Sequence, residues 1–152
     1  MKSTNDAEAY RRLFEHIAVM RNDVEHLRNV NNGYLSKRAK RKSYPAVTTA
    51  AEYDGLVGVG DQHHYSSEID FHKEVYDKLI ENFQKLNIHT NYDPNNLSGH
   101  CAENYAASKV LDQLNPQGAT GIALSDISFA DSIQPRTGKG KEWCGNCHKM
   151  FD

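Results

Sequence analysis

"YPAVTTAAEYDGLVGVGDQ", residues 44–62, is the stretch on which the fold turns. It reads as two short strands around an Asp54-Gly55 turn, the dipeptide favoured in two-residue hairpins. Its valines and threonines suit a pleated surface, whereas the glycines of its second half weaken the second strand.

Working toward the N-terminus, "NNGYLSKRAKRKSYP" is a break that carries five basic residues between Lys37 and Lys42. Residues 33–44 are therefore read as a basic linker. Before it, residues 5–28 have the pattern of an amphipathic helix, within an N-terminal unit of residues 1–32. Asn5 and Glu8 form a capping-box pattern. Tyr10, Leu13, Phe14, Ile17, Met20, Val24 and Leu27 then recur at helical spacing between charged residues.

Working toward the C-terminus, a second amphipathic helix is predicted from Ser67, with Ile69, Val75, Tyr76, Leu79, Ile80, Phe83 and Leu86 on its apolar side. "NIHTNYDPNNLSG" is a polar loop of turn residues. "SGHCAENYAASKVL", residues 98–111, opens a third helix that packs through Ala102, Ala106, Val110, Leu111 and Leu114. "NPQGA" ends it, "TGIALSDISFA" (residues 120–130) reads as a third strand, and the loop "DSIQPRTGKGKEW" leads to a short terminal helix. Helices and strands alternate in the second half, so the expected class is α/β or α+β around a small sheet.

At 152 residues the chain suits one domain that needs no disulfide staples. The expected organisation is one domain over 1–152, with 45–152 as its core. A net charge of −2 means that any polyanion-binding surface must be local. No apolar run has the length of a membrane span, and "MKSTNDAEAYRRLFEH" lacks the apolar block of a signal peptide.

The chain has three cysteines, and all three fall at predicted helix starts. Cys101 opens the third helix, and Cys144 and Cys147 open the last as C-x-x-C. Exposed backbone N–H groups at a helix start stabilise negative sulfur, which favours thiolate ligands. A hydrolytic zinc site takes three protein ligands and leaves one position for water. Glu103, two residues after Cys101, is close enough to reach that water without being a ligand. Three readings stand at this point. One is a catalytic zinc site of three cysteines. The second is a structural zinc site completed by a histidine: His100, His148, His63 or His64. The third is a redox C-x-x-C with an unrelated buried Cys101.

Cys101-Ala102-Glu103 and Cys144-Gly145-Asn146-Cys147 resemble the signature of the zinc-dependent cytidine deaminase-like superfamily, in its three-cysteine form. Within it, residues 45–152 look most like the deaminase domains of bacterial polymorphic toxins, especially the YwqJ-like group. The resemblance implies Zn2+ held by Cys101, Cys144 and Cys147, with Glu103 as the proton shuttle and the Ala102 backbone facing the carbonyl edge of the base. It implies conversion of cytosine to uracil, with single-stranded DNA favoured over RNA, and an immunity protein as a further partner. It places the domain in the cytoplasm of a target cell. Its fold would be a small mixed sheet packed between helices, with both motifs at the starts of adjacent helices.

Two departures from the pattern stand out. Trp143 replaces the proline that usually precedes C-x-x-C, which changes the local geometry of the helix start. The chain also ends five residues after Cys147, so the sheet is expected to be cut short after the C-x-x-C helix.

Trp143 is either a base-stacking residue or a packing residue over the core. Lys139 and Lys141 lie in the loop before the cysteine pair and are the better phosphate contacts by position. The 37–42 cluster is another phosphate candidate, with a solvated linker as the preferred reading. His100 is carried as a substrate contact, and His63-His64 either line a channel or form a polar turn. Two other functions stay open: a free cytidine or nucleotide deaminase, and a non-enzymatic zinc-stabilised binding module.

Overall fold

The structure is a computed structural model that describes residues 1–31 and 33–152; the side chains of residues 40–42 lie outside that description, and with them part of the 37–42 cluster. The hairpin of residues 44–62 is its organising element. β2 (Thr48–Tyr53) pairs antiparallel with β3 (Leu56–Asp61) through all six residues. Asp54 and Gly55 both have positive φ, 48° and 81°, as a two-residue turn matched to the strand twist requires.

The hairpin's two faces carry different residues, and each recruits a different helix. Ala50, Val57 and Val59 point to one side, where α1 (Ala7–Val30) lays down Ala9, Leu13 and Ile17. On the other side lies α4 (Ala102–Leu114), which presents Ala106, Ala107, Val110 and Leu111. The glycines that weakened β3 as a sequence are what seat this helix. A Cβ on Gly58 would stand 2.5 Å from the Ala106 carbonyl oxygen, and one on Gly60 would stand 2.4 Å from that of Ala102. β3 is bare on this face so that the first turn of α4 can lie directly on it.

The other edge of β2 holds β4 (Ser128–Phe129) and β5 (Ser132–Ile133), both antiparallel to it. The register shifts by one residue between them: Ala51 faces Phe129, but Thr48 faces Ile133. This is a β-bulge, held by Thr49 Oγ1 donating to the Ala130 carbonyl at 3.1 Å. It restarts the alternation, so Phe129 and Ser132 face α4 while Ala130 and Ile133 face α1. β1 (Lys2–Ser3) lies parallel to β4, and β6 (Gly140–Lys141) pairs with β5. The result is a mixed sheet between helices, as expected of the α/β class.

α3 (Lys73–Phe83) and α5 (Gly145–Phe151) complete the α4 side, contributing Val75, Leu79 and Phe83, and Met150 and Phe151. No helix is long and apolar enough to cross a membrane among the described residues.

Four local expectations need correction. Asp6, not Asn5, caps α1, accepting from the Glu8 and Ala9 amides. The 33–44 linker contains a helix, α2 (Lys37–Ser43), because Ser36 accepts from the Ala39 amide and starts it. The helix from Ser67 begins only at Lys73. Ser67 and Asp70 close a separate 3-10 turn that leaves Ile69 exposed, and His72 caps α3 through Nδ1 while Nε2 donates to the Asn115 carbonyl at 2.8 Å. The strand expected over 120–130 is only Ser128–Phe129, since Asp126 accepts from the Ala123 amide and folds the preceding residues into a 3-10 turn.

Candidate metal centre

Two helix starts build the site. Cys101 is the N-cap of α4 and Cys144 the N-cap of α5, each with extended backbone, and Cys147 sits one turn into α5. Gly60 fixes the first of these starts. Gly145 fixes the second, because a Cβ there would stand 2.0 Å from the Tyr92 carbonyl oxygen. The polar loop before α4 thus threads tightly under α5, and Asn146 ties the two by donating to the Asn96 carbonyl at 3.4 Å.

The three sulfurs converge within 4.8 Å of one another. Sγ of Cys144 lies 3.0 Å from that of Cys101 and 3.5 Å from that of Cys147. Zn–S bonds of about 2.3 Å in a tetrahedron put sulfurs about 3.8 Å apart, so a small opening of the triangle accommodates the ion. The cysteines form a triad that can hold a metal, and the donor set suits a thiophilic one. Sharing protons alone, the sulfurs are unequal. Hydrogen bonding with Cys101 and Cys147 holds Cys144 far below the usual thiol range, while Cys101, bonded to Cys144, and Cys147, deeply buried, are pushed up.

This convergence removes the reading in which Cys101 is unrelated to the pair. It also leaves the histidine-completed site without its histidine among the described residues, since the metal-ligand group contains cysteines only. His148 turns Nδ1 to Asp152 at 3.1 Å. The Nε2–H of His100 donates to the His64 carbonyl, and burial pulls this imidazole below its ordinary value.

Glu103 is 4% exposed and lies against the sulfurs. Its Oε2 accepts from Cys147 Sγ at 3.3 Å, and its Oε1 accepts from Ser132 Oγ at 2.6 Å. Burial raises its carboxyl above the usual range despite the hydrogen bond from Ser132. Ser132 was not anticipated from the sequence. Its signal is the interrupted alternation of "SFADSI", where the bulge turns Ser132 back toward α4.

The other expected residues divide between two concavities. Lys141 and half-buried Trp143 line a groove of roughly 510 Å³ with Ser132, Asp131, Glu142 and His148; the Trp143 and His148 rings meet edge-on at 6.1 Å. Trp143 also packs against the core, so its packing role is present. Lys139 is exposed on the β5–β6 turn, where its carbonyl accepts from the Gln134 amide. His63, His64 and His100 line a larger cleft with Arg38 and Arg136. Comparison with protein-family models, with curated proteins and with solved structures found no match.

Proposed function

We propose that the chain is a zinc-dependent deaminase that converts cytosine to uracil in single-stranded nucleic acid, DNA by preference, as a bacterial toxin-type domain. The observation that carries this reading is the buried carboxylate of Glu103 beside three sulfurs. A purely structural thiolate site has no use for a further acid at its edge, because a negative charge there is repelled by the thiolates and costs desolvation. A group that must take up and release a proton belongs there, and burial sets its affinity for protons closer to neutrality.

Zinc, when bound by Cys101, Cys144 and Cys147, supplies a nucleophilic water at neutral pH. The chain's own residues do the rest. Glu103 accepts a proton at Oε2, the oxygen nearest the sulfurs, and returns it to the base so that the amino group at C4 leaves as ammonia. Overall, cytosine and water give uracil and ammonia. Ser132 holds Oε1 and so keeps the carboxyl aimed. Ala102 is the first residue of α4, where backbone N–H groups have no helical partner, and its amide is suited to the base's carbonyl oxygen. Cys144 is the least buried of the three cysteines.

The test is incubation of zinc-loaded protein with mixed single- and double-stranded DNA and RNA, followed by sequencing, with free cytidine assayed alongside. Cytosine-to-uracil changes concentrated in single strands support the reading, since extruding a base from a duplex costs a few kcal/mol. Turnover of free cytidine alone makes the chain a nucleoside deaminase, and no turnover of any substrate by zinc-loaded protein removes the enzymatic reading.

A further inference from the structure

A cleft of roughly 980 Å³ is lined in part by His100, the residue that directly precedes Cys101. We propose that this cleft, through Arg38, Arg136 and His63, binds the phosphodiester backbone and a base of a single-stranded nucleic acid. The proposal rests on the deaminase reading and adds a strand-binding cleft whose wall, at His100, is one residue from Cys101.

Charge is the first argument. Arg38 comes from α2 and Arg136 from the β5–β6 turn. Among the described residues neither guanidinium is in an ion pair. Asp61 also lines the cleft, but both its oxygens lie 2.9 Å from His16 Nε2, so its charge is already engaged. The groove on the Trp143 side differs, because there Asp131 and Glu142 flank Lys141 and oppose a phosphate.

Pre-organisation is the second. The turn that carries Arg136 is closed by the Gln134 amide on the Lys139 carbonyl at 2.8 Å and by the Gly138 amide on the Gln134 carbonyl at 2.8 Å. Arg21 of α1 clamps its Pro135 carbonyl. With the backbone of the turn held in this way, only the Arg136 side chain has to be ordered on meeting a phosphate.

The third is a stacking platform. The exposed His63 ring is backed by Tyr105 at 4.2 Å, and Tyr105 by Phe71 at 4.9 Å. The rings are tilted by 39° and 36° to one another, and the Tyr105 hydroxyl is bonded to Ser66 Oγ, which holds the Tyr105 ring in place. A planar ring held on one side and open on the other receives a base in any sequence context. Two separate cations and a volume near the top of the ~300–1,000 Å³ range of small-ligand sites suit a strand rather than one nucleotide.

The experiment measures fluorescence anisotropy of labelled dT12 and rU12, which contain no cytosine, on the zinc-loaded full chain across a salt series. The Arg38→Gln, Arg136→Gln double variant should weaken binding about tenfold or more and reduce the log–log salt slope by about 0.7 per lost contact. His63→Ala should weaken it about fivefold or more with the slope unchanged. Tighter binding of rU12 than of dT12 assigns the cleft to RNA, and the converse to DNA. Binding unchanged by the arginine variants but lost in Lys139→Glu with Lys141→Glu overturns the proposal. So does failure of the wild-type chain to bind either strand at low salt. The two readings separate cleanly: a chain that deaminates cytidine but binds no strand loses only this cleft. A chain that binds through Arg38 and Arg136 but deaminates nothing loses only the enzyme.

Discussion

The two arms of the cysteine triad are built in opposite ways. Cys101 and Glu103 stand at the head of α4, whose residues are nearly all buried from Ala102 to Leu111 and whose first turn rests on the bare face of β3. Cys144 and Cys147 stand on α5, seven residues long, after an exposed β6 and loop. A helix that short does not hold itself in water. The first arm is therefore positioned by the core, and the second by Phe151, Met150 and whatever joins the sulfurs. On the proposed reading, the rigid half carries the acid–base group and the order of the other half is coupled to metal.

The sharpest break of this contrast comes from its glycines. Gly60→Val drives a side chain into the Ala102 and Ala106 backbone, which no rotamer relieves. The cost should exceed the ~1–3 kcal/mol of ordinary overpacking, and thermal unfolding of the whole chain should shift down. Gly145→Ala meets the Tyr92 backbone just as closely, yet here the loss should be local. Metal should be lost and α5 should lose amide protection, with α4 still protected. Equal global destabilisation by both would erase the distinction between the arms.

Within the rigid arm, chemistry separates from folding. Glu103→Ala should retain zinc and the fold while turnover falls on the order of 10²-fold or more, the scale of a lost general acid–base. Near-normal turnover returns the site to a structural role. Ser132→Ala should be milder, roughly tenfold in kcat with KM unchanged, since one hydrogen bond to Oε1 is removed and Glu103 itself stays. A change confined to KM would place Ser132 in substrate binding instead.

The smallest effect lies on the far face of the sheet. Burial alone would raise the Asp61 carboxyl, but hydrogen bonds from His16 and Thr48 hold it below its usual range. A lowered folded-state value means that its charge adds stability at neutral pH. That contribution fades as pH falls through the lowered value. Denaturant midpoints should decline in acid for the wild type, and Asp61→Asn should flatten part of that decline. An identical acid limb in both proteins removes the pair from the account.

Both arms were legible in sequence at their helix starts, and the packing that positions the rigid arm was not. The Asp54-Gly55 hairpin, the helix beginning at Cys101 and the helix at the cysteine pair are all local signals, and the structure has each of them. The glycines of β3 were misleading, because their reason is a helix that arrives some forty residues later in the chain. Ser132 was harder to read: the broken alternation of "SFADSI" hints at a bulge, but which face Ser132 takes depends on the register of the partner strand. α2 was missed when its charge outweighed the Ser36 cap. The convergence of Cys101 with Cys144 was anticipated from chemistry, as helix starts favour thiolates, whereas the role of Arg136 depends on a turn held by Arg21 from α1.

The most direct test of the central claim is the zinc content of the purified chain, read together with amide exchange across residues 145–151. About one zinc per chain is expected. It should be absent from Cys144→Ser, and protection of α5 should vanish with it while α4 remains protected. A chain that is purified without metal, yet keeps residues 145–151 as protected as α4, would contradict the account.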